Sequence, residues 1–186
     1  MKKLKNIKKK AKELQTNYFH KYNTSLNGLM IHHDIPPEDF LKDVHNIDLT
    51  FMKKDLFLRE VLGSLNLKKF IFTNGSKKHV ENIIKHLGID DLFDGIFDIV
   101  DAGFNPKPEA KAFDLMINKF NIDPKETLYI EDIAKNLSIA KNRGSTTAWL
   151  INDEYWGKKE SDKDFIDYKI ENLSLFLKEI RLLQNS

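Results

Sequence analysis

Lys68-Lys69-Phe70-Ile71-Phe72-Thr73-Asn74-Gly75-Ser76 is the stretch on which the fold turns. A short apolar triplet behind two lysines gives way at once to a hydroxyl, an amide, a glycine and a second hydroxyl. Its aromatic and β-branched residues favour a pleated surface, so the triplet reads as a buried strand. Ser76 suits a helix N-cap, because Val80, Ile83, Ile84 and Leu87 follow on one helical face and Gly88 offers a stop.

Downstream the same unit recurs. Residues 96–100 read as a second strand, 110–120 as a helix, 127–130 as a third strand and 134–142 as a helix closed near Gly144. Residues 146–151 read as a fourth strand; Tyr168-Lys169-Ile170 and a helix over 173–183 follow a polar stretch. Strand alternating with helix implies a parallel sheet with right-handed crossovers, a doubly wound α/β fold. Upstream, residues 1–65 read as helices only. They break at Ile35-Pro36-Pro37, where Pro37, Glu38 and Asp39 suit a first turn, and another helix starts near Lys54-Asp55.

Composition narrows the classes. The chain has 186 residues, 41 % apolar and 31 % charged, enough for one domain, or one with a small appended module. With a net charge of only +2, bulk charge gives no support for a nucleic-acid partner. With no cysteine, disulfides and thiolate metal sites are excluded, and a reducing cytoplasm is the expected setting. No apolar run is long enough to cross a bilayer, so neither nucleic acid nor membrane is an expected partner; oligomeric state is not legible. Lysines crowd positions 2, 3, 5, 8, 9, 10 and 12, beside an apolar line of Leu4, Ile7, Ala11, Leu14, Tyr18 and Tyr22. They read as a basic arm for RNA or anionic lipid, or as a solvated helix face; the offsetting acids elsewhere favour the second.

In doubly wound sheets ligands bind beyond the carboxyl ends of the strands. Thr73, Asn74, Gly75 and Ser76 follow the first strand. Asp101, Gly103 and Asn105-Pro106-Lys107-Pro108 follow the second, and Glu131-Asp132 the third. Amides and a hydroxyl hold phosphate oxygens, lysine neutralises charge, and carboxylates hold magnesium. Each piece also has a plainer reading: Thr73–Ser76 as a helix cap, Lys107 as a surface turn, Glu131 and Asp132 as acids at a helix start. Their shared position after successive strands favours a phosphate and cation site. His32-His33-Asp34 lacks a second cluster to complete a metal site, and His79 and His86 are expected to be solvated on one helix face.

The order and wording of these pieces resemble the haloacid-dehalogenase-like superfamily, and more closely its pyrimidine 5′-nucleotidase branch. Phe72-Thr73-Asn74-Gly75 is similar to the second motif, Lys107 in Asn-Pro-Lys-Pro to the third, and Ile130-Glu131-Asp132 with Asn136 to the fourth. Tyr18-Phe19-His20-Lys21-Tyr22, Ser25-Leu26-Asn27-Gly28-Leu29 and Val44-His45-Asn46-Ile47-Asp48 are similar to the nucleotidase cap. Leu92 to Asp98 and Asp101-Ala102-Gly103-Phe104 are similar to the stretch before the third motif.

The resemblance implies a Rossmann-like sheet spanning 66–186 and a partial helical cap module over 1–65. It also implies a magnesium-dependent phosphohydrolase acting on a small phosphate monoester, a nucleotide in this branch. Thr73, Asn74, Gly75 and Lys107 would hold the phosphoryl group, with Thr73 and Lys107 in the catalytic set, while Asp132 and Glu131 would hold Mg2+. Two departures stand out. The superfamily opens on a central strand ending in Asp-x-Asp, whose first aspartate attacks phosphorus. Here the one Asp-x-Asp is Asp162-Lys163-Asp164, in a polar run. The expectation is therefore a core lacking its first strand: an N-terminally truncated, inactive chain. The alternatives are a non-catalytic remnant binding a phosphate ligand or partner, and one half of a split enzyme. Ile133 stands where the family usually has a hydroxyl residue.

Overall fold

A computed structural model describes the backbone of residues 2–44 and 47–184, and side chains from residue 6. His45 and Asn46, quoted above for the cap resemblance, lie outside the described residues. Four helices come first: α1 (Lys2–Tyr22), α2 (Ser25–His33), α3 (Pro37–Val44) and α4 (Leu56–Ser64). Strands then alternate with helices: β1 (Phe70–Phe72), α5 (Lys77–Leu87), β2 (Gly95–Phe97), α6 (Ala110–Phe120), β3 (Leu128–Glu131), α7 (Leu137–Asn142), β4 (Thr146–Leu150), β5 (Tyr168–Ile170) and α8 (Leu173–Gln184).

Local chemistry sets the boundaries. Ser76 Oγ accepts from His79 N–H at 3.3 Å and opens α5; Gly88, at φ 73°, closes it in a backbone region that costs glycine little. The second strand is shorter than the expected 96–100. Asp98 turns the chain after Phe97, its Oδ1 accepting from the N–H groups of Val100 and Asp101 at 3.0 and 2.9 Å and its Oδ2 from Lys77 N–H at 2.7 Å. An aspartate that hydrogen-bonds the backbone two residues on competes with the extended chain. The helix expected from 134 begins instead with a 3₁₀ turn, Ala134–Asn136, before α7.

The strands form two parallel pieces, β1–β2 and β3–β4–β5. No ladder joins β1 to β3. The rings of Phe72 and Tyr129 meet edge to face, with centroids 6.3 Å apart. Both strands share the same two layers. Phe72 and Tyr129 pack with Phe97, Phe113, Met116 and Trp149, while Ile71 and Ile130 pack on the other side with Val61, Val80, Ile84 and Leu177. α4 supplies Val61 and Leu62 to that second layer and packs on α8, so it lies with the sheet. α2 and α3 form a smaller cluster in which Leu26 and Leu41 meet Ile99.

α1 departs from the pattern. Residues 6–17 are all exposed, and the apolar line beside the lysines has no cover there. Only its last turns are packed: Tyr18 Oη pairs with His33 Nε2 at 2.9 Å and Tyr22 Oη with His32 Nε2 at 2.5 Å. No group of three or more metal-ligating side chains occurs among the described residues. His86 is exposed as expected, but His79 is half-buried and burial holds its imidazole below the usual pKa. No helix among the described residues is long and apolar enough to cross a membrane.

Candidate active site

The carboxyl ends of β1 and β3 meet at one side chain. Lys107 is 8 % exposed; its Nζ donates to Phe72 O, the last carbonyl of β1, at 2.9 Å. It also donates to Glu131 Oε2, at the last residue of β3, at 2.6 Å. An ammonium has three donors, so one N–H remains for a ligand. The cation also lies 5.1 Å from the centre of the Phe72 ring, on its electron-rich face. Behind it, Asn74 Oδ1 accepts from Lys107 N–H at 2.7 Å, fixing the second-strand loop to the first.

Thr73, Asn74, Gly75, Lys107 and Glu131 therefore form one connected set, though not in every role foreseen. Gly75 N–H donates to Thr73 Oγ1 at 2.9 Å, so that amide is turned into its own loop. Thr73 N–H continues the β1–β2 pairing by donating to Phe97 O at 3.0 Å. Glu131 is nearly spent on protein partners. Beyond Lys107, its Oε1 accepts from Ile133 N–H at 3.3 Å and from Asn136 Nδ2 at 3.2 Å. Ile133 thus serves through its backbone, where a hydroxyl is not needed.

Asp132 differs from its neighbour. Its side chain reaches solvent, yet partial withdrawal from water, followed by the charge of Glu131, pushes its carboxyl above the usual range. Its backbone is pinned: Trp149 Nε1 and Asn152 Nδ2 both donate to Asp132 O, at 3.0 and 2.7 Å. Neither donor was foreseen. Both come from the fourth strand and its exit, and an indole N–H directed at a carbonyl leaves no trace in apolar spacing.

A hard cation fits this corner. Asp132 supplies a carboxylate that is partly withdrawn from water and lies beside the charge of Glu131. Asn136 Oδ1 is buried and unpartnered among the described residues, an acceptor awaiting a donor or a metal. Magnesium is commonly held by one or two carboxylates with waters completing its octahedron. Asp101 and Asn105 fall outside the set. Asp101 pairs with Lys119 at 2.6 Å, and Asn105 Nδ2 donates to Ala102 O and Gly103 O.

A parallel α/β core thus brings a threonine, a buried lysine and two acids together at neighbouring strand ends. The haloacid dehalogenase-like hydrolase family model matches residues 2–150, and the chain belongs to that family. It is 29 % identical over 169 residues to phosphate metabolism protein 8 of Saccharomyces cerevisiae, covering 81 % of this chain and 52 % of that protein. It is 30 % identical over 138 residues to the glyceraldehyde 3-phosphate phosphatase of Pyrococcus furiosus, covering 72 % of this chain and 57 % of that protein. The chain thus spans about half the length of these curated relatives. Among solved structures, the L-2-haloacid dehalogenase of Xanthobacter autotrophicus with chloropropionic acid covalently bound superposes with a TM-score of 0.56. The identity there is 17 %, over 94 % of this chain and 83 % of that one, a likeness of fold.

Proposed function

We propose that this chain carries the phosphoryl- and cation-holding part of a magnesium-dependent phosphohydrolase site for small phosphate monoesters. The observation that supports it is the Lys107 ammonium, buried between the ends of β1 and β3 with one donor unspent. In this reading Thr73 Oγ and Lys107 Nζ hold two phosphoryl oxygens, and Glu131 orients and charge-balances the lysine. Asp132 and the Asn136 carbonyl oxygen hold Mg2+, and Glu131 leaves the set of direct ligands because Lys107 claims it. Magnesium would supply a Lewis acid that offsets developing phosphoryl charge.

The family resemblance puts attack on a carboxylate at a rigid strand end. Asp162-Lys163-Asp164 is exposed among turns and has no place in the proposed site. Binding is therefore the informative assay. The 186-residue chain should bind inorganic phosphate more tightly with Mg2+ than without it, by calorimetry. Thr73→Val should weaken phosphate binding, and Asp132→Asn should remove only the magnesium dependence. Equal phosphate affinity in all three proteins would sink the reading. On the finer, nucleotidase reading, uridine and cytidine monophosphates bind ahead of purine nucleotides and sugar phosphates. A ranking led by a sugar phosphate would leave the phosphohydrolase reading and remove the nucleotide.

A further inference from the structure

The amino-terminal part of α1 is exposed along its described length. Residues 6–17 are exposed throughout, Ile7 at 57 % and Leu14 at 38 %. α2 reaches the helix at Gln15, where Ser25 Oγ donates to Gln15 O at 3.1 Å, and packs on it from Tyr18 onward, where the tyrosine rings meet His32 and His33. At about 100° per residue, Ile7, Ala11 and Leu14 form one line. Lys8 and Lys10 fall on opposite flanks of that line, with Lys9 and Lys12 on the far side. From residue 2 to residue 12 there are seven lysines and no acid; the first acid is Glu13.

We propose that this part of α1 is a surface for an anionic lipid bilayer, lying in the headgroup plane with its apolar line inward. Charge complementarity selects the occupant. A nucleic acid would use the lysines and leave the apolar line in water. A second copy of α1 would cover the line but set lysine against lysine. An anionic bilayer uses both, because lysines flanking an apolar line reach outward to headgroups while their stems cover apolar surface. The helix lies on the membrane and does not cross it, in keeping with its polarity.

The test uses the whole 186-residue chain, floated with vesicles of phosphatidylcholine containing about one third phosphatidylglycerol, and with pure phosphatidylcholine vesicles. The chain should float with the first and not the second, and high salt should release it by screening the lysines. A Lys8→Gln/Lys10→Gln variant, which removes the two flanking lysines, should bind about twenty-fivefold more weakly, at about fivefold per lysine near a charged surface. Ile7→Ser/Leu14→Ser should also weaken flotation while leaving the melting temperature nearly unchanged, because both side chains are exposed, Ile7 more than Leu14. The proposal is overturned if the parent chain does not float, or if the serine variant floats equally well. It is also overturned if the serine variant melts markedly lower, which would mean the chain itself covers the line. Two further outcomes replace it: oligonucleotide binding that survives the serine changes without flotation, and a concentration-dependent dimer that those changes abolish.

Discussion

Replacing Lys107 with methionine tests the claim that one buried ammonium joins the two halves of the sheet. Methionine keeps most of the volume and the apolar contacts, so the change isolates the charge. The pair it breaks is short and dry: Nζ–Oε2 is 2.6 Å, and the side chains are 10 % and 7 % exposed. Removing one partner of a buried ion pair strands the other charge, at a cost of about 3–5 kcal/mol. Phe72 O also loses its donor, adding about 1 kcal/mol. The sum, about 4–6 kcal/mol, is a large part of a domain's stability of about 5–15 kcal/mol. For a chain of this size it corresponds to a fall in Tm of roughly 8–24 °C. The assay is thermal melting at neutral pH of the parent, Lys107→Met, Glu131→Gln and the double variant. The double variant leaves no stranded charge, so it should recover much of the summed loss of the two single variants. A Lys107→Met protein melting within a degree or two of the parent, or strictly additive losses, would refute the stitch.

Two further outcomes follow from other positions. The Asp132 carboxyl is raised in the folded state, so it favours folding below its unfolded pKa, and that contribution is lost as pH rises through its folded value. Asp132→Asn should therefore melt higher than the parent at neutral pH, with the difference vanishing below the ordinary carboxylate range; a difference that persists in acid would contradict it. Gly95 lies under Phe120, where an added Cβ would come within 2.6 Å of the ring. Gly95→Ala should lose about 1–3 kcal/mol in urea unfolding through overpacking, and an unchanged midpoint would show that Phe120 gives way freely.

Most of the architecture was legible because it rests on local signals that agree with one another. Phe70–Phe72, Ser76 and Gly88 each point to the same strand–cap–helix unit, and the structure places all three in those roles. Thr146 to Leu150 and the helix from Leu173 were similarly clear. The misreadings arise where a side chain overrides apolar spacing. Asp98 ends β2 early by capturing three amides, although Ile99 and Val100 continue the apolar run. At the candidate site, the positions of Thr73, Lys107 and Asp132 after their strands were legible, while Glu131, expected just beyond the third strand, is the last residue of β3. The division of labour among them was not legible, because it depends on which carboxylate the lysine reaches across the gap between β1 and β3. Nor was the bare line on α1 legible: Ile7 and Leu14 have the spacing of a packed face, and spacing does not say whether a neighbour is there.

Lys107 is asked to do two things that pull against each other. A lysine that only held the sheet together would spend all three donors inside the protein. A lysine that only met a phosphate would stand open to solvent. Here two donors close the ends of β1 and β3, and the third is left over. The carbonyl of Phe72 would ordinarily pair in a ladder. Along this line β1 and β3 make none, so the ammonium satisfies that acceptor in its place. Glu131 then balances the charge in the absence of an anion, and its own second oxygen is held by Ile133 and Asn136, so it has little freedom to follow the lysine elsewhere. On the proposed reading, an arriving dianion would meet an ammonium whose position is already fixed at both strand ends. Its binding would need little rearrangement, the preorganisation that electrostatic stabilisation of phosphoryl charge requires. The same fixation would leave the proposed cation corner to Asp132, the one acid of the pair that Lys107 does not claim.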